Sequence, residues 1–199
     1  MNESPVALEA ILNLAASFHY EEGHSSRVTE LALKLFDELA ALHEMNEKER
    51  FRLRCAAILH DVGIPAGRKG HHKTALKRIM ESPAWPLSER ERGIVASVAR
   101  YHRKALPTTA HEHFRALDPA DRERVRALAA LLRIGDALDR CHLDHVRDLS
   151  CEVRPERVVV RCKGTPCEQE TQAALKKGDL FERVFARRLE IAWDRSAAK

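Results

Sequence analysis

From residue 5 to about residue 145 the apolar residues recur at steps of three and four, a period that commits this stretch to helices packed on one another. Leu8, Ile11, Leu12, Ala15 and Phe18 lay one stripe along a helix over 5–20. Val28, Leu31, Leu35, Leu39 and Leu42 predict a second over 25–43. Phe51, Cys55, Ile58 and Leu59 predict a third, which starts near Glu47 and is stopped by Gly63 and Pro65. Shorter helices follow over 72–81 and 88–102, the latter opening with the capping pattern Ser88-x-x-Glu91. Beyond Pro107 a long helix over 120–141 carries Val125, Leu128, Leu131, Leu132 and Leu138 on its apolar side.

The period changes after His145. Leu149–Val153 alternates, Arg157–Cys162 is short and β-branched, and Arg188–Trp193 alternates again, so all three read as strands. Pro155-Glu156 supplies a hairpin turn, and 168–185 is helical in pattern. The expected fold class is mainly α, a helical domain over 1–145 followed by a small C-terminal ββαβ module over 146–199.

Aromatics are only 5% of the chain, which disfavours a β-sandwich, and no apolar run approaches the roughly 18 residues that span a bilayer. The N-terminal MNESPVALEA lacks a basic segment followed by an apolar one, so no secretory signal and no membrane association are expected. Five cysteines without a C-x-x-C pair argue against a disulfide framework or a structural zinc site, and reduced thiols agree with a cytoplasmic location. The net charge of +4 is uneven: ten basic residues face three acidic ones between Ala66 and Lys104, a local excess of +7. Such a field attracts an anionic partner, although a solvated helix face accounts for the charge equally well. Only Trp85 and Tyr101 interleave it, too few for stacking on nucleic acid.

Chemistry-bearing residues gather at the helix ends. His60-Asp61 closes the third helix, His24 opens the second, His71 and His72 open the fourth, and His102 ends the fifth. As a dipeptide His-Asp is a weak signal, which chance supplies in about half of chains of this composition. Its place against an apolar helix end strengthens it, because an ionic group there needs a metal or a partner. Asp136 falls on or beside the apolar stripe of the long helix, where a metal suits it better than a paired arginine. Imidazole with carboxylate suits a divalent transition ion such as Mn, Fe, Ni or Zn, in one or two positions, and Asp61 has the two oxygens needed to bridge a pair. Arg27 follows His24 by three residues, Arg133 and Arg140 flank Asp136 at −3 and +4, and Arg103 and Lys104 follow His102. These cations share helix faces with the candidate ligands and are the candidate phosphate binders.

The order His … His-Asp … His … His … Asp on successive helices resembles the HD-domain metal-dependent phosphohydrolases. Four runs narrow the resemblance to the C-terminal HD portion of the exopolyphosphatase/guanosine pentaphosphate phosphohydrolase family. They are Gly23-His-Ser-Ser-Arg-Val28, Ala57-Ile-Leu-His-Asp-Val-Gly63, Arg100-Tyr-His-Arg-Lys104 and Leu132-Arg-Ile-Gly-Asp-Ala-Leu-Asp-Arg140. The resemblance covers about residues 8–145, and the tail is similar to the small module that follows in that family.

It implies an HD-domain helical bundle with metal ligands at His24, His60, Asp61 and Asp136, and with His71 or His72 and His102 completing a second position. Where Thr74 stands, the family often has a further histidine. The activity expected is hydrolysis of a phosphoanhydride or phosphoester in polyphosphate, a guanosine polyphosphate or another nucleotide. His60 and Asp61 would be the catalytic pair, and Arg27, Arg103, Lys104, Arg133 and Arg140 would bind substrate. In the family the HD portion is joined to actin-like ATPase domains, so the alternative is a regulatory or assembly module that binds a phosphorylated effector or a separately encoded ATPase-like partner. A homodimer is compatible with either reading.

Overall fold

The longest helix, α8 (Pro119–Leu138), is the axis on which the rest is hung, packing against α2, α4, α6, α9 and α10. The computed structural model describes residues 5–194, and residues 1–4 of the N-terminal reading lie outside it. Asp118 starts α8 by accepting from the Asp121 N–H at 2.7 Å, with Pro119 in the first turn, where its missing N–H costs nothing.

Before it come α1 (Pro5–Ser17), α2 (Glu22–Glu38), α3 (Ala40–His43) and α4 (Glu47–Leu59). These are followed by α5 (His71–Glu81), α6 (Glu89–Arg100) and the short α7 (Glu112–Arg115). The capping box read at Ser88 is formed: Ser88 Oγ accepts from the Glu91 N–H at 3.3 Å and Glu91 accepts from the Ser88 N–H at 3.2 Å. Asn46 and Glu49 make a second box at the start of α4.

β1 (Val146–Val153) and β2 (Arg157–Gly164) pair antiparallel across the expected turn, and β3 (Arg188–Trp193) pairs parallel to β2, giving the order β1-β2-β3. The crossover is α9 (Glu168–Lys177) and α10 (Asp179–Phe185). Leu180, Phe181 and Leu189 of this tail belong to the same contiguous buried cluster as Leu128 and Leu131 of α8. Among the described residues no helix is long and apolar enough to cross a membrane.

Some boundaries differ from the sequence reading for local reasons. The helix expected over 25–43 breaks at the fully buried Leu39, and His43 folds back so that its Nε2 lies 2.8 Å from the Phe36 carbonyl. The helix expected over 168–185 breaks at Gly178, where a Cβ would stand 2.7 Å from the Leu189 side chain, so the tail is ββααβ rather than ββαβ. α8 ends at Leu138, three residues short of Cys141, and β1 begins at Val146 rather than Leu149.

Candidate metal centre

The stripe that buries α4 carries the chain inward until His60 caps the helix and Asp61 turns with it. Gly63 then permits a close approach: a Cβ there would collide with the His71 carbonyl, so α5 could not start where it does. Gly135 does the same between α8 and α2, where a Cβ would lie 3.1 Å from the Ala32 backbone nitrogen. The two glycines let His71 and Asp136 reach the same point as His24 and His60.

Four imidazoles there are oriented alike. Nδ1 of His60 lies 2.7 Å from the Ala57 carbonyl, that of His102 2.7 Å from Ala99 and that of His71 2.9 Å from Arg68. His24 Nδ1 lies 2.7 Å from Asp139 Oδ2. Since carbonyls and carboxylates only accept, each Nδ1 carries a proton and each Nε2 is the nitrogen left to ligate. Those nitrogens converge. His71 Nε2 and His102 Nε2 are 3.3 Å apart and lie 3.0 and 3.5 Å from Asp61 Oδ1. His24 Nε2 and His60 Nε2 lie 3.9 and 3.5 Å from Asp61 Oδ2, and His24 Nε2 is 3.6 Å from Asp136 Oδ1.

The donors form two groups, His24–His60–Asp136 and Asp61–His71–His102, with the Asp61 carboxylate between them, one oxygen facing each. His60 Nε2 and Asp61 Oδ1 are buried without a hydrogen-bond partner. Acceptors facing acceptors in a buried site repel unless a cation lies among them, so this donor set fits a divalent metal.

The electrostatics agree. Burial pushes the Asp61 carboxyl up, but His60, His71 and His102 more than reverse this and hold it well below the usual carboxylate range. Asp136 is likewise held down against its burial, chiefly by Lys177 and His24. Burial keeps the His102 imidazole far below its ordinary value and hence neutral, the form that ligates. Burial opposes charge on His24, yet its bonds to Asp136 and Asp139 raise it to about 10, so proton and metal compete for this site.

The centre opens into a cavity of about 650 Å³ whose wall includes Arg68, His71, Arg103, Arg140 and Lys177. Arg103 also touches His71 Nε2 at 3.3 Å. A second cleft of about 690 Å³ shares Arg103, Arg140 and Lys177 and adds Lys104 and Lys176.

The family model for Ppx/GppA phosphatase, domain III, matches residues 6–180. The chain belongs to this family. Its membership covers α1 to the start of α10, so the phosphatase-related identity extends from the helical body into the tail.

Within this domain III the sequence-read residues divide. His24, His60, Asp61, His71, His102 and Asp136 are brought together, and of the pair left open it is His71 that joins them. His72 lies in neither donor group; burial and the nearby Arg100 push its imidazole down to about 4. Arg103 and Arg140 face the cavity, and Lys104 faces the adjoining cleft.

Arg133 lines that adjoining cleft as well, whereas Arg27 lines neither. Arg27 bonds the Val146 carbonyl and Glu30, and lines a separate cleft with Asp144 and Arg147. Arg133 is almost wholly buried and donates to the carbonyls of Lys177 and Tyr101 and to Asp179 at 2.8 Å. Both tie the tail to the helical body.

Residues missed from sequence are Asp139, which orients His24, Lys177, which pairs with Asp136, and Arg68. Asp139 stands one helical turn after Asp136, and that spacing was the available signal. Cys55 is buried, as its helical stripe implied. Cys141 and Cys167, which nothing in their spacing pairs, lie with sulfurs 3.8 Å apart.

Proposed function

We propose that this domain III is a metal-dependent phosphohydrolase acting on a phosphoanhydride or phosphoester of a multiply charged substrate, such as polyphosphate, a guanosine polyphosphate or another nucleotide. The observation that carries this reading is the convergence of four tethered imidazoles on the two oxygens of Asp61. His24, His60 and Asp136 would hold one divalent ion (Mn, Fe, Ni or Zn) and His71 with His102 a second, with Asp61 shared. Such ions polarise a phosphoryl oxygen and acidify water.

The chain's own residues supply the rest. Arg103, Arg140 and Arg68 bind the non-reacting phosphate oxygens along the cavity wall. Asp61 orients the attacking water against the phosphorus, the Ala57 carbonyl fixes the His60 ring with Nε2 towards the ion, and Asp139 holds the His24 ring in the ligating tautomer. Lys104 and Lys176 extend the positive field into the second cleft, where a longer anion is retained.

A second reading is favoured by Lys177. Its ammonium already pairs with the Asp136 carboxylate, so a cation of the protein's own occupies one ligand of the first group. On that reading the domain binds a phosphorylated effector, or docks on an ATPase-like partner, without turnover. Metal analysis of chelator-free protein, followed by phosphate release across polyphosphate, guanosine polyphosphates, mononucleotides and cyclic dinucleotides, separates the two. About one to two equivalents of transition metal bound at the histidine centre and turnover of at least one substrate are expected. Tight binding with no turnover by metal-replete protein establishes the binding module instead.

A further inference from the structure

Away from the histidine centre, four metal-ligating side chains meet where the helical body joins the tail. Cys141 and His145 come from the segment between α8 and β1; Cys167 caps α9 and Glu170 lies in its first turn. One donor atom from each lies within 4.8 Å of the others.

The edges of this cluster have metal-site dimensions. The two sulfurs are 3.8 Å apart, far beyond a disulfide bond, whereas a tetrahedral zinc with Zn–S of about 2.3 Å separates its sulfurs by about 3.8 Å. His145 Nδ1 and Glu170 Oε1 are 3.2 Å apart, against about 3.3 Å for N and O ligands at about 2.0–2.1 Å from one ion. The Glu170 side chain is fully buried, and its Oε2 has no hydrogen-bond partner. A buried carboxylate with an unsatisfied oxygen beside two thiols calls for a cation.

We propose that Cys141, His145, Cys167 and Glu170 form a second, structural site for zinc that staples the helical body to the tail. The two segments contribute C-x3-H and C-x2-E, one pair from each side of the joint. Binding breaks the two S–H bonds and forms two Zn–S bonds. Both protons leave to solvent, while the His145 proton resides on Nε2 so that Nδ1 can ligate. Two thiolates and one carboxylate leave the occupied site at a net charge of −1. The staple fixes a wall of the main cavity, since Cys141 lines it and the next residue, His142, stacks on His24 with ring centroids 4.0 Å apart.

Thiol chemistry distinguishes this site from the histidine centre, which holds no sulfur. Full-length protein purified in reductant without chelator is treated with a mercurial thiol reagent, and released zinc is read with a chromogenic indicator. One equivalent released is expected from the wild type, and the same from Asp61→Ala. Cobalt(II)-loaded protein should show sulfur-to-cobalt charge-transfer absorption, which Cys167→Ser reduces and the double change Cys141→Ser/Cys167→Ser abolishes. Glu170→Gln, a near-isosteric change, should keep the sulfur bands while weakening zinc retention about tenfold or more. No mercurial-released zinc together with no charge-transfer band in wild-type protein overturns the proposal. So does an intact mass showing Cys141 and Cys167 joined as a disulfide in the protein as purified. These readings on the wild type need no variant to fold.

Discussion

Every imidazole of the histidine centre is tethered through Nδ1 to an oxygen on the helical body, whereas the Cys141 cluster hangs from a loop on one side and the first turn of α9 on the other. The first set is aimed before any ion arrives, because three of its rings bond the carbonyl of the residue three positions back. In the second the donors touch one another, sulfur beside sulfur and His145 on Glu170, and Cys141 also donates to Gln169 Oε1 at 3.3 Å. Preorganised donors suit chemistry on a substrate, since the geometry costs nothing at the moment of reaction. A cluster that closes only by drawing two segments together suits a staple, in which metal affinity becomes folding energy.

The largest test of this contrast is Asp61→Ala. Its two oxygens face the two halves of the histidine centre, so truncation removes a donor from both. Loss of all metal from that centre and about a thousandfold or greater loss of phosphate release are expected. Thiol-bound zinc should be retained. Metal analysis before and after mercurial treatment reads both quantities in one sample. Full retention of the metal that the mercurial leaves behind would remove Asp61 from the ligand set.

A smaller effect follows from loosening a tether rather than deleting a ligand. Asp139 accepts from His24 Nδ1–H at 2.7 Å and so fixes which nitrogen faces the centre. Asp139→Ala should lower metal affinity about 10–100-fold, as loss of an orienting partner does elsewhere. The chelator concentration that halves bound metal measures it. An unchanged midpoint would mean that packing against His60 and His142 suffices to hold the ring.

How far each cluster could be read from the sequence follows from the same contrast. His24, His60, His71 and His102 stand at helix starts and ends, and those positions follow from the apolar stripes on each helix. Their convergence needs only that the stripes pack together. Asp139 and Lys177 escaped because their partners His24 and Asp136 lie 115 and 41 residues away, and neither residue breaks the pattern of its own helix. The two cysteines are separated by 26 residues and a hairpin, so no spacing rule joins them until β1 and β2 pair. The same blindness applied to Arg27 and Arg133. Sharing a helix face with a ligand did not reveal that the tail would supply carbonyls and Asp179 to engage them.

The smallest effect checks that burial alone does not make a histidine a ligand. His113, beside Arg100, Tyr101 and His111, is pushed down to about 4 by burial first and by Arg100 second, yet it belongs to neither donor cluster. Its Nε2 is buried without a partner, as is that of His60, but no carboxylate converges on it. It should therefore behave as a neutral core residue. Between pH about 6.5 and about 4 the unfolded chain binds this proton and the folded chain does not, so the stabilising contribution is complete above the higher value and is lost on acidification towards the lower. Because the ring is part-exposed, about 1 kcal/mol is the expected loss. Urea midpoints of metal-loaded protein at pH about 7.5 and about 5 should differ more for the wild type than for His113→Leu. Equal differences would show that the proton is accommodated there, and that a low pKa at this corner carries no cost to the fold.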